Sequence, residues 1–212
     1  MDVDTNLSNS QDHRIEVAAL PDPEPRKLTD PRAMRAVAHP VRIALLEVLG
    51  TEGPLTATQA GELIGESPTT CSFHLRQLAK YGFIEEVAGV AGRKRPWRLV
   101  NTGMSYSDVS DDTETRLAAN ALSRVLHDFY LDRLKEGLAL RRDTPTEWQK
   151  ATGADEFLLY VTVDELQALN EQMLALVQPF VERIGNPKTR PRGSVPIEVL
   201  FFAYPRPSHR AR

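Results

Sequence analysis

The run Ser67-Pro68-Thr69-Thr70-Cys71-Ser72-Phe73-His74-Leu75-Arg76-Gln77-Leu78-Ala79-Lys80-Tyr81 has the marks of a helix with two unlike faces. Ser67 offers a side-chain oxygen to cap it. Pro68 suits the first helical position, because the amide hydrogen it lacks would have no partner there. Cys71, His74, Leu75 and Leu78 follow at i, i+3, i+4 and i+7, so they share one face. The other face carries Thr69, Thr70, Ser72, Phe73, Arg76, Gln77 and Lys80, small and polar at first, cationic later, with no acidic residue. Gly82 stands where a left-handed residue ends such a helix.

Upstream, Thr56 and Gln59 have the spacing of a capping box and predict a helix from Ala57 to Ile64. Gly65 and Glu66 form a tight turn into Ser67. Two helices joined so briefly, the second with an open polar face, make a helix-turn-helix signal. Downstream the period falls to two. Phe83 to Val87 and Arg95 to Val100 read as paired strands. Between them Ala88-Gly89-Val90-Ala91-Gly92-Arg93-Lys94 is a glycine-rich tip with a basic end. A hairpin in that place is a wing.

The helices before this pair are equally legible. Asp30-Pro31 opens a short one with Met34, Val37 and Ala38 on its apolar side. Pro40 pushes His39 out of the helical region and starts another, with Val41, Ala44, Leu45, Val48 and Leu49 inward. Gly50 and Gly53 end it, and Leu55 is a one-residue strand remnant. Residues 1–28 are acidic, with Pro21, Pro23 and Pro25 and no hydrophobic period, and are expected to be a disordered tail.

Asn101 to Asp112 reads as a polar linker. From Thr113 to about Arg142 a long helix follows, with Leu117, Ala121, Val125 and Phe129 as its expected dimerisation stripe. Cover by the chain's own C-terminal part is the competing reading. Phe157 to Val161 reads as a strand, and Thr162 with Glu165 caps a helix ending by Gly185. Ile197 to Tyr204 reads as a second strand. Whether those strands pair with each other or across a dimer is open.

Composition sets limits. The 212 residues carry a net charge of −3, with 41% hydrophobic and 26% charged residues, which is ordinary for a soluble globular chain. The average hides a distribution. Met1 to Asp30 has seven acidic and three basic residues, whereas Ser67 to Arg98 has six basic residues against Glu85 and Glu86. Local positive charge is what phosphate neutralisation requires. No stretch suits a membrane span, the N-terminus has no secretory pattern, and one cysteine fits a reducing cytoplasm.

Sites for other chemistry are sparse. The five histidines lack metal-ligand spacing, so no metal or cofactor is expected. His127 with Asp128 and Asp132 reads as a solvated trio. Cys71 lies in a first helical turn, where the dipole favours a thiolate, but burial as a small hydrophobe is the stronger reading. No nucleophile–base pair, phosphate loop or dinucleotide fingerprint occurs, so no enzyme is expected.

Ala38-His39-Pro40-Val41-Arg42, Ser67-x-x-Thr70-x-Ser72-x-His74-Leu75 and Leu78-x-x-x-Gly82-Phe83-Ile84 together resemble the ArsR-type winged helix-turn-helix transcription regulators, over about 70 residues. That family's metal sensors carry paired cysteines before the recognition helix, where Gly61-Glu62-Leu63-Ile64 here has no thiol. The resemblance implies a homodimeric repressor or activator on double-stranded DNA that responds to some signal, such as a small-molecule effector, and the excess of arginine over lysine suits a bacterial source.

The expectation is an α+β chain, mainly α: a winged helix-turn-helix domain over 29–101, then a dimerisation and effector region over 104–206. Thr69, Ser72, Phe73 and Arg76 would face base edges, with Arg76 suited to guanine and Phe73 to a thymine methyl. Ser67, Thr70, Gln77, Lys80 and the wing's Arg93, Lys94 and Arg95 complete the expected DNA contacts. The rival is a winged-helix module whose same face binds an acidic protein.

Overall fold

The computed structural model describes residues 21–22, 24–88 and 95–206. In chain order the elements are β1 (Arg26–Leu28), α1 (Pro31–Val37), α2 (Pro40–Glu52), α3 (Ala57–Ile64), α4 (Pro68–Lys80), β2 (Ile84–Glu86), β3 (Trp97–Leu99), β4 (Met104–Tyr106), α5 (Thr113–Leu140), α6 (Thr146–Ala151) and α7 (Val163–Gly185). Helix dominates and strands are short, an α+β chain as expected.

The helix starts lie where the sequence puts the caps. Asp30 accepts from the Arg32 amide at 2.8 Å, and Ser67 Oγ accepts from the Thr70 amide at 3.0 Å. Thr56 with Gln59, and Thr162 with Glu165, close both bonds of their capping boxes. At the end of α4, Gly82 takes φ +72°. The amides of Gly82 and Phe83 then reach back to the carbonyls of Ala79 and Leu78, a Schellman arrangement that satisfies the last turn.

α1 to α4 enclose one core. Met34, Leu45, Leu75 and Leu78 are fully buried in it. The wing closes its edge: β2 and β3 pair antiparallel, Ile84 opposite Leu99, and both side chains point inward. Leu55 joins as an isolated bridge to Trp97, with reciprocal bonds of 3.0 and 2.8 Å.

Three expectations need correction. The first is the disordered tail over residues 1–28. Residues 1–20 lie outside the described residues, but Arg26–Leu28 is a strand running parallel to β4. Leu28 is buried, and Arg26 anchors the segment by donating to the Tyr81 carbonyl while its guanidinium covers the Phe83 ring at 4.6 Å. One leucine and one arginine outweigh a composition that otherwise disfavours order. The second is the linker over 101–112, which supplies β4.

The third concerns the C-terminal strands. Residues 157–161 and 197–204 carry no ladder hydrogen bond among the described residues, so α7 is not flanked by a sheet within one chain. A strand needs a neighbour for its amides and carbonyls, and within one chain neither stretch meets one among the described residues. Their apolar side chains stay in water: Phe157, Tyr160, Val199 and Tyr204 are all well exposed.

α5 is divided along its length. Ala118, Ala119, Leu122 and Leu126 pack on the winged-helix core, so that core extends beyond 29–101, while Leu131, Leu134, Leu138 and Leu140 are exposed. The expected stripe is divided too. Leu117 is exposed, Ala121 is half-buried, and Val125 and Phe129 pack partly against the chain's own core. Residues at i+4 intervals drift by about 40° per step around a helix of 3.6 residues per turn, which carries the stripe from solvent toward α1. The C-terminal region is tied back through Arg190, whose guanidinium donates to the carbonyls of Thr51, Arg183 and Ile184.

Candidate nucleic-acid interface

α4 stands on the domain with its two faces sorted as its sequence dictates. Cys71, His74, Leu75 and Leu78 are buried. Ser67, Thr69, Phe73, Arg76 and Lys80 are exposed, while Thr70, Ser72 and Gln77 are half-buried at its edges. Within this set the roles diverge. Ser67 and Thr70 are occupied with each other, their hydroxyls 2.8 Å apart as part of the cap. Arg76 makes no hydrogen bond or ion pair among the described residues. Phe73 leaves half its surface in water, its ring edge-on to His74 at 5.2 Å. An aromatic ring held open on a polar face is costly for a free protein and useful to one that stacks or packs it on a partner.

The angle of α3 to α4 depends on Gly61. The amide of Glu66 donates to the Gly61 carbonyl at 3.0 Å. A Cβ at position 61 would lie 2.5 Å from the Glu66 carbonyl oxygen. Only glycine permits that approach.

Behind α4 sits a polar pin that sequence reasoning missed. Arg42 of α2 donates from Nε to His74 Nδ1 at 3.2 Å and from a terminal nitrogen to the Ala36 carbonyl. The rings of His39 and His74 lie 4.5 Å apart. His39 in turn caps α2 by accepting from the Val41 amide at 3.2 Å. Burial, foremost, holds both histidines below their usual pKa, and the charge of Arg42 adds to it, against a smaller opposing pull from Glu66. His74 therefore accepts as a neutral imidazole. Arg42 and His39 stand in the Ala38-to-Arg42 motif, but helical spacing alone does not say that this motif reaches across to position 74.

The described arginines of the wing are engaged by its own carboxylates. Arg93 and Lys94 lie outside the described residues. Arg95 pairs with Glu86 at 2.9 Å, and Arg98 pairs with Glu85 across the strands. Lys80 stays exposed, its ammonium 5.7 Å above the Tyr81 ring.

Other candidate chemistry is not assembled. No group of three or more potential metal ligands converges among the described residues. His127 packs edge-on against Phe202, and Asp132 pairs with Lys135. Cys71 is fully buried, and burial pushes its thiol pKa up, with Glu66 adding to it. No helix among the described residues is long and apolar enough to cross a membrane.

Residues 37–87 match a family model described as a helix-turn-helix domain. No curated protein matches the chain. The match begins at the last residue of α1, spans the helix pair and ends just past β2, the strand that opens the wing. Fold, exposed α4 and family match agree on one statement: the chain carries a helix-turn-helix domain of the winged kind, an architecture that points to DNA binding and transcription regulation.

Proposed function

We propose that the protein is an ArsR-like transcriptional regulator that binds double-stranded DNA as a homodimer and catalyses no reaction. One observation carries the reading: α4 exposes Thr69, Phe73, Arg76 and Lys80 without a carboxylate on that face, while its opposite side is fully used in the core. A helix so placed fits a major groove, with Arg76 able to donate two bonds to guanine O6 and N7, and Phe73 able to meet a thymine methyl.

The homodimer is supported by the apolar surface left over. Leu131, Leu134 and Leu138 on α5, together with residues 157–161 and 197–204, form more exposed apolar surface than a monomer ordinarily keeps in water. A two-fold pair would set its α4 helices in successive major grooves about 34 Å apart, on a pseudo-palindromic site. The region after residue 104 is the place for a signal, acting by favouring one spacing of the pair over another. Action in a bacterial cytoplasm is part of this reading, supported by the single cysteine and the excess of arginine over lysine.

The test is selection of bound fragments from a genomic library, followed by anisotropy titration of the enriched sequence. An enriched pseudo-palindrome bound much more tightly than random duplex is the expected result. Equal affinity for all sequences, or none for DNA, overturns the reading in favour of a protein-interaction module.

A further inference from the structure

Beside the base-facing surface of α4 lies a cleft of about 260 Å³ lined by Arg32, Arg35, Ala36, Arg42, Gln77 and Tyr81. Three guanidiniums converge there and no carboxylate lines it. Arg35 is met from outside by Glu114 of α5, and Arg42 is held by His74 and the Ala36 carbonyl. Arg32 is exposed and its side chain has no partner among the described residues. Clustered like charges repel, so the cleft is a place where a multiply accepting anion improves the electrostatics of the folded chain.

The position of the cleft identifies that anion. Gln77 lies on the edge of α4 that faces α1 and α2, one turn beyond Phe73 and its open face, and Tyr81 follows as the residue that caps the helix end. A helix with side chains is about 10–12 Å across, close to the width of the major groove, so its edges run along the phosphate walls. We infer that the Arg32–Arg35–Arg42 cleft is a backbone clamp, taking one or two phosphodiester groups of the duplex that α4 enters. This rests on the DNA-binding reading above and adds a contact surface on α1, a helix that neither sequence periodicity nor the wing pattern marked for DNA. Planar guanidiniums suit phosphate oxygens in paired bonds, and Gln77 offers an amide donor at the same rim. Because phosphate is common to every sequence, the clamp strengthens binding and fixes register without choosing bases.

The experiment uses the full chain and a 30-base-pair duplex of random sequence, with anisotropy titrations from about 50 to 200 mM NaCl. Three variants are compared with the parent: Arg32→Gln, Arg32→Gln with Arg35→Gln, and Glu114→Gln. The last frees Arg35 without removing its charge. The single variant is expected to flatten the slope of log K against log salt by up to about 0.9, and the double by about 0.9 if the cleft holds one phosphate or about 1.8 if it holds two. The double should weaken binding by the same factor on the selected site and on random duplex. Glu114→Gln should bind at least as tightly as the parent. An unchanged slope in the double variant overturns the clamp, as does a loss in Glu114→Gln equal to that of the double, which would mark Arg35 as a structural tie only. Failure of the parent chain to bind any duplex overturns the DNA reading itself, a separate result.

Discussion

Arg42 donates to His74 across the gap between α2 and α4, Nε to Nδ1 at 3.2 Å, and that bond needs the imidazole uncharged. Burial and the neighbouring guanidinium hold His74 and His39 below the usual 6.5. The unfolded chain therefore binds more protons than the folded one just below that value, and stability rises with pH there. The contribution is complete above pH 6.5 and is lost as pH falls through the folded-state values. Thermal melts between about pH 7.5 and 5 should show Tm falling with acidification, and His74→Asn should flatten that fall. A parent melt independent of pH in this range would contradict it.

Gly61→Ala sets two effects against each other. Alanine favours the interior of α3 by up to about 1 kcal/mol. The added Cβ, however, would meet a backbone carbonyl 2.5 Å away, which gives only if the turn into α4 opens. Overpacking of this kind costs about 1–3 kcal/mol, so a net loss of stability in urea denaturation is expected. DNA affinity should fall with it, since the same turn sets the angle of α4.

Arg76→Ala removes the one guanidinium on the open face that no carboxylate neutralises. Loss of a bidentate base contact costs about 1–3 kcal/mol and relaxes preference at one base pair. Selection from a randomised duplex with the variant should return a site degenerate at a single position per half. A site unchanged at every position would remove Arg76 from base readout.

Cys71 should resist alkylation. Its sulfur is fully buried and its thiol pKa is raised, so the nucleophilic thiolate is scarce. Iodoacetamide at neutral pH should label it only in denaturant, as mass spectrometry would read. Rapid labelling of the native protein would reopen a redox role.

The dimer has its own check. Leu134→Glu and Tyr160→Glu place charge within exposed apolar surface and remove nothing from the core. Sedimentation should give twice the chain mass for the parent and the chain mass for the double variant, with the melt of the winged-helix domain preserved. A monomeric parent would refute the pairing.

Local signals carried the first half of the fold well. Caps at Asp30, Thr56 and Ser67 and the stripe from Cys71 to Leu78 are short-range chemistry, and the elements begin and bury as those residues require. What stayed hidden was long-range. β1 exists because Leu28 and Arg26 find partners some 55 to 80 residues later in the chain, which no window of sequence contains. The same applies to Arg42: its motif was visible, but its reach to His74 was not. Residues 157–161 and 197–204 are the opposite case: their apolar pattern reads as strand, and of the two pairings left open the single chain provides none within itself. In the interface the helix was legible residue by residue, whereas the arginines of α1 were not, because only packing brings them beside Gln77.

The parallel pairing of β1 with β4 brings the segment before α1 against the segment before α5, Asp22 bridging Asn101 and Arg26 lying opposite Met104. The polypeptide does not leave the domain there, because α5 returns its alanines and leucines to the same core. An excised winged-helix domain must therefore run from Asp22 to about Phe129, since trimming it at the wing would strip both β4 and that half of α5.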